Sequence, residues 1–267
     1  MGFGEITRIP FVAPVPNVSP YIAGPATIQG VAVDPYGDYY ISFTNWMAAY
    51  DSHWHLVWKN SHPFSGIPLT VNHIGDIEYY NGFIYAPIEE FKSCQGYSPV
   101  LIAVYNADTG ALVNWIDISA DGHEASATTV VPEQGTIVVS SFCLAKGAPS
   151  TFWRYDLQSV QTSPRGSVLR SESTMALSQP INYIQGISWD RTTGQFLLSA
   201  AVQSYAGTLW WVSGTDKVEG PVFNVPTNQG NELEGVDATA GNAYYAEKGY
   251  IYGIPMPAPL APGGQPQ

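Results

Sequence analysis

Short apolar segments recur along this chain, and each opens with a polar residue beside a glycine or other small residue. They begin near Gln29-Gly30-Val31, Gly75-Asp76-Ile77, Glu124-Ala125-Ser126, Gln185-Gly186-Ile187 and Glu234-Gly235-Val236. A turn and a second apolar segment follow each of them. Five such units at a spacing of roughly 50 residues predict an all-β, five-bladed β-propeller with one blade per unit. That fold arranges the starts of the innermost strands around a central tunnel, so residues distant in sequence become a ring.

The first unit reads as strands over 28–33 and 39–43 around a Pro35-Tyr36-Gly37 turn. A long loop holding Trp46 follows, and then strands over 55–59 and 69–73. The second reads as 76–80, 83–88, 100–105 and 112–118. Its Asn81-Gly82 and Asp108-Thr109-Gly110 turns supply residues that tolerate positive φ, a strong hairpin signal. The third reads as 127–131, 136–142, 152–157 and an outer strand over 168–173; the fourth as 186–189, 195–201, 209–213 and 221–225. The fifth has only 235–238, 243–247 and 250–254. Its missing strand is expected from residues 6–12 of the N-terminal segment 1–13, which would close the ring and remove its open edges. The Pro/Gly-rich tail 255–267 is expected to fray. Nothing in the pattern splits the chain, so one domain over 1–267 is expected. Most tryptophans fall in or beside strands and read as packing between sheets.

Composition agrees with short strands and tight turns. Of 267 residues, 45% are hydrophobic and only 12% charged, with 26 Gly and 21 Pro, which suits a helix bundle badly. The net charge of −12 repels phosphate backbones and anionic lipid, so neither nucleic acid nor membrane is an expected partner. Cations, small polar molecules and hydroxyl-rich carbohydrates are compatible with it. No apolar run reaches the ~18 residues of a membrane span. Met1-Gly2-Phe3-Gly4-Glu5 has neither the charged nor the apolar region of a signal peptide. Cys94 and Cys143 fall in matching loops of neighbouring blades and are expected within reach of a disulfide, two unrelated thiols being the alternative. Such a bridge would point to a secreted mature form; the compartment is otherwise open.

The candidate chemistry follows from the ring. Loops entering the first strands offer Gln29, His73, Asp76, His123, Glu124, Gln185 and Glu234. Loops leaving the second strands offer Asn45, Trp46, Glu89, Glu90, Gln203, Tyr205, Glu247 and Lys248 on the same face. An oxygen-rich ring suits Ca²⁺, with Asp76, Glu124 and Glu234 as its ligands. His73 and His123, with Glu124, are candidates for moving protons, and Gln29, Trp46, Glu89, Gln185 and Tyr205 for holding substrate. Without a metal, carboxylates this close would force at least one pKa upward, the usual equipment of acid–base hydrolysis. The alternative is that these residues only hold tunnel water and cap the sheets. Glu78 and Asp237 lie further along their strands.

No nucleophile elbow, phosphate loop, dinucleotide fingerprint or EF-hand calcium loop is present. Ile184-Gln185-Gly186-Ile187-Ser188-Trp189-Asp190 and Asn231-Glu232-Leu233-Glu234-Gly235 resemble the repeat style of gluconolactonase-like enzymes and plant-type glutaminyl cyclases. The resemblance covers most of the chain in rhythm and implies the propeller. It supplies no complete catalytic or ligand set residue by residue. The expected function is hydrolysis, or a related acid–base reaction, of a small polar substrate at the tunnel mouth, assisted by a divalent cation. The alternative is a carbohydrate- or ligand-binding propeller without chemistry, with Trp46, Tyr50 and Tyr205 stacking on sugar faces.

Overall fold

The apolar runs are nearly continuous because most strands bury both faces. In β8 (Val100–Asn106), Leu101, Ala103 and Tyr105 pack toward one neighbouring sheet, while Val100, Ile102 and Val104 pack toward the other. A period of two thus feeds two separate cores. The computed structural model describes residues 19–22, 27–92, 98–142, 150–202, 206–215, 217–226, 233–239, 241–247 and 249–256.

Five antiparallel sheets make up the described residues. The first blade holds β1 (Ile28–Val33), β2 (Tyr39–Phe43), β3 (Trp46–Tyr50) and β4 (Leu56–Asn60). The second holds β5 (His73–Ile74), β6 (Glu78–Tyr80), β7 (Phe83–Glu89), β8 and β9 (Leu112–Asp117); β5 and β6 both pair with β7, so its innermost strand is broken around Asp76. The third holds β10 (Ala127–Val131), β11 (Thr136–Ser140), β12 (Thr151–Asp156) and β13 (Ser173–Ala176). The fourth holds β14 (Ile184–Asp190), β15 (Gln195–Val202), β16 (Ala206–Ser213) and β17 (Val218–Pro226). The fifth holds β18 (Leu233–Thr239), β19 (Asn242–Glu247) and β20 (Tyr250–Pro255).

Apolar clusters fill the spaces between successive blades, and one of them closes the ring. It joins Ile28, Val31 and Ile41 of the first blade to Ala246 and Ile251 of the fifth. The chain is therefore a five-bladed β-propeller, as the repeat predicts. The expected closing strand over 6–12 lies outside the described residues, as do Cys94, Cys143 and the tail beyond Met256. Within them, the Ile22 amide donates to the Gly249 carbonyl (2.9 Å) and the Ile251 amide to Ser19 Oγ (2.8 Å), so the stretch before β1 runs beside β20.

Three strand assignments from sequence need correction. The expected long loop after β2 is a tight turn at Thr44–Asn45 followed by β3. Ala48 and Ala49 are poor strand formers, but the blade interface buries them completely and that decides the matter. The 55–59 strand is consequently the fourth of its blade, and no strand covers 69–72. In the third blade the outer strand is β13 rather than 168–173. Asp117 and Val168 instead form a parallel bridge, with the Asp117 amide bonded to the Ser167 carbonyl and the Leu169 amide to the Asp117 carbonyl (both 2.9 Å), which covers the outer edge of the second blade.

That crossing begins with α1 (Leu157–Thr162), a helix the repeat does not predict. Asp156 caps it by accepting the Ser159 amide (2.6 Å), and this bond holds the Asp156 carboxyl below its ordinary range. Asp156→Ala is expected to cost about 1 kcal/mol, read by urea denaturation.

Candidate active site at the tunnel mouth

The innermost strands of blades one, four and five share a defect. Pairing slips between Ile28 and Gly30 in β1, between Ile184 and Gly186 in β14, and between Leu233 and Val236 in β18. A bulge re-aims the side chain at the slip. The polar residues there, Gln29, Gln185 and Glu234, line one cavity of about 410 Å³ at the tunnel mouth. Thr27, Thr44, His73, Gly75, Phe91, Glu124, Ser126 and Phe142 complete its wall. The repeated polar–glycine pair is thus the signature of a bulge that points one side chain into a shared space.

Asp76 lies beneath this cavity, fully buried on the axis. Its Oδ1 accepts the amides of Val31 (3.1 Å) and Ile77 (3.0 Å), and its Oδ2 accepts those of Ile187 (3.1 Å) and Val236 (3.2 Å). Its own amide donates to the Ser126 carbonyl (2.9 Å), and its carbonyl accepts from Thr128 (3.2 Å). One residue therefore bonds all five blades. Glycines allow the approach: a Cβ on Gly30, Gly186 or Gly235 would stand 2.7, 2.7 or 2.2 Å from an Asp76 carboxylate oxygen. Burial pushes the Asp76 carboxyl well above the usual range, and the four amides pull against it. Every partner of the carboxylate is a donor, so the cradle fits the ionised form.

His73 begins β5 at the cavity wall. Its Nε2–H donates to Gln29 Oε1 (2.7 Å), and the ring lies beside Phe91 (5.2 Å between centroids). Behind it, Nδ1 faces Glu89 Oε1 at 3.5 Å. Neither of these two buried atoms has a hydrogen-bond partner, although Glu89 is only 1% exposed. The other Glu89 oxygen accepts the Ala125 amide (3.4 Å). Glu124 and Glu234 are buried acids of the same wall, and Glu124 Oε2 accepts from Ser141 Oγ (3.1 Å).

Other sequence candidates sit elsewhere. His123 is not among the residues lining the cavity. Its ring stacks on Trp153 (3.8 Å), with Nδ1 bonded to the Glu124 carbonyl (2.7 Å) and Nε2 to the Tyr155 hydroxyl (2.9 Å), which in turn donates to Asp121 (2.7 Å). Burial lowers its pKa. Trp46 opens β3 rather than a loop, stacked on Phe43 (3.5 Å) beneath the Lys59 ammonium (4.0 Å). Tyr205 lies outside the described residues. Sequence reasoning missed Thr27, Thr44, Phe91 and Phe142 as wall residues; Phe91 directly follows the Glu89-Glu90 pair that it did single out.

The donor set does not fit calcium at Asp76, because amide N–H groups already occupy both carboxylate oxygens. Among the described residues no three His, Cys, Asp or Glu side chains are grouped as metal ligands.

Comparison of the sequence with protein-family models and with curated proteins found no match. Among solved structures, a GH43_1 enzyme from Xanthomonas citri is similar at 9% identity and a TM-score of 0.59, over 91% of each chain. A gluconolactonase from Xanthomonas campestris is similar at 12% identity and a TM-score of 0.53, over 93% of this chain and 97% of that one. The likeness is one of fold. At these identities it supports the propeller and leaves the chemistry to the cavity's own residues.

Proposed function

We propose that the tunnel-mouth cavity is the active site of a hydrolase acting on a small, hydroxyl-rich polar substrate. One observation carries this reading: the buried His73 Nδ1 and Glu89 Oε1, neither with a hydrogen-bond partner, face each other at 3.5 Å immediately behind the cavity wall. A carboxylate behind an imidazole stabilises the imidazolium and fixes its orientation. A substrate oxygen would take the place of Gln29 on Nε2. The Nε2 proton then passes to the leaving oxygen as its bond breaks, while Glu124 or Glu234 accepts a proton from the attacking water. Gln185 and Gln29 are suited to ring hydroxyls, and Phe91, 39% exposed at the rim, to an apolar sugar face. No step requires a cation. The calcium expectation passes to Glu124 and Glu234 alone, and calorimetry with Ca²⁺ on wild type and Glu124→Gln tests it.

The test is a hydrolysis screen with sugar lactones, aryl glycosides and aryl esters. Turnover of one class is expected, with kcat reduced about 10²-fold in His73→Gln and in Glu89→Gln at unchanged circular dichroism. Equal activity in both variants would overturn the roles given to His73 and Glu89. Saturable sugar binding without turnover in any class would favour the second reading, a binding propeller that uses the Phe91 rim.

A further inference from the structure

The opposite mouth of the tunnel holds a second cavity, of about 580 Å³, bounded by the turns that follow β1, β6, β14 and β18. Glu78 stands in its wall and is only 8% exposed. Its Oε2 accepts from Thr129 Oγ1 (2.6 Å), while its Oε1 receives no hydrogen bond from the described residues. Asp237, the acid that faces it, has its oxygens taken by the Val33 amide (2.9 Å) and Ser188 Oγ (3.1 Å). Thus one carboxylate oxygen of a largely buried side chain opens into the cavity with no donor among the described residues. Around it stand Tyr36, Tyr79 and Trp189. Tyr36 is 84% exposed and has no ring partner among the described residues, whereas the Arg191 guanidinium already covers Tyr80 (5.1 Å).

We propose that this second mouth binds a small organic cation, a primary ammonium donating to Glu78 Oε1 while its alkyl chain lies among the rings of Tyr36, Tyr79 and Trp189. Glu78 in the wall, with Asp237 near it and the Arg191 guanidinium drawn over Tyr80, favours a positive ligand over a neutral donor. A single open carboxylate oxygen is too few for a metal ion, and aromatic walls suit an ammonium. The site is independent of the reaction proposed at the other mouth.

Calorimetry and thermal unfolding with n-propylammonium chloride test the proposal, with sodium chloride at equal ionic strength as control. A saturable heat is expected, with a rise in Tm of about 3 °C at tenfold excess over Kd. Binding is expected to be weaker at about pH 5 than at about pH 8, because protons compete for Glu78. Its carboxyl is raised by burial and by Asp237, against the opposing pull of Arg191. Glu78→Gln should abolish binding. Tyr36→Ser, at an exposed position that leaves folding intact, should weaken it at least about threefold, and it decides the matter if Glu78→Gln does not fold. No saturable heat beyond the sodium control, equal affinity in wild type and Tyr36→Ser, or equal affinity at the two pH values would each overturn the proposal.

Discussion

Asp76→Ala is expected to unfold the protein, or to leave it about 5 kcal/mol less stable in urea. The substitution strands four buried amides, from Val31, Ile77, Ile187 and Val236, and each orphaned donor costs about 1–3 kcal/mol. Removing a buried charge returns part of this, so the sum of the four is an upper bound. Folded domains hold only about 5–15 kcal/mol in reserve, so the loss is a large share. Asp76→Asn keeps the shape but turns an NH₂ group toward two donors, and it is expected to lose about half as much. Formate offers an independent readout, because a small carboxylate fits the vacated cradle: it should raise the Tm of Asp76→Ala and leave that of wild type unchanged. A fully stable Asp76→Ala protein would remove Asp76 from the centre of the fold.

Stability is expected to fall as pH rises from about 4 to above 6, the reverse of ordinary acid denaturation. Glu78 and Asp237 face each other inside the tunnel. Burial raises both, Asp237 to about 6, and their mutual repulsion raises Glu78 further. A carboxyl that binds its proton more tightly when folded stabilises the fold fully below its unfolded pKa, and that contribution is lost as pH climbs through the folded value. For Asp237 alone the loss is roughly 3 kcal/mol. Asp51 and Asp156, held low by hydrogen bonds, act in the opposite sense only at the acid end. The Tm should therefore be highest near about pH 4, and Glu78→Gln should flatten the decline and raise Tm at about pH 8. A Tm that climbs steadily from about pH 5 to about pH 8, or a wild-type slope in Glu78→Gln, would contradict the pairing.

The ring and much of its mouth were legible because the repeat encodes both. Gln29-Gly30, Gln185-Gly186 and Glu234-Gly235 mark strand starts and also place three side chains in one cavity. Asp76 was read as a ligand through its chemistry, whereas its position is the signal of its place at the hub. Gly30, Gly186 and Gly235 each precede an amide bonded to Asp76, and the second blade carries the acid itself at that place. Periodicity says where a residue recurs, and the informative residue was the one that broke it. His123 looked like His73 because both precede an acid. His73 lies within a strand at the wall, whereas His123 lies four residues ahead of β10, where packing on Trp153 governs its ring. Propensity also failed at Ala48 and Ala49, since burial between blades outweighs the intrinsic preference of alanine.

A single residue bonded to every blade, four of them through its carboxylate, changes how this molecule can be assembled. Open solenoids add or lose modules with little penalty, because each module touches only its neighbours. Here Asp76 awaits Val236, 160 residues later, before its last donor arrives. A nascent chain with three blades finished would carry a half-solvated acid at an unclosed hub, and its final locking depends on the most distant partner. Duplicating or deleting one module would misplace the donors around that hub, so the number of sectors is tied to a single residue.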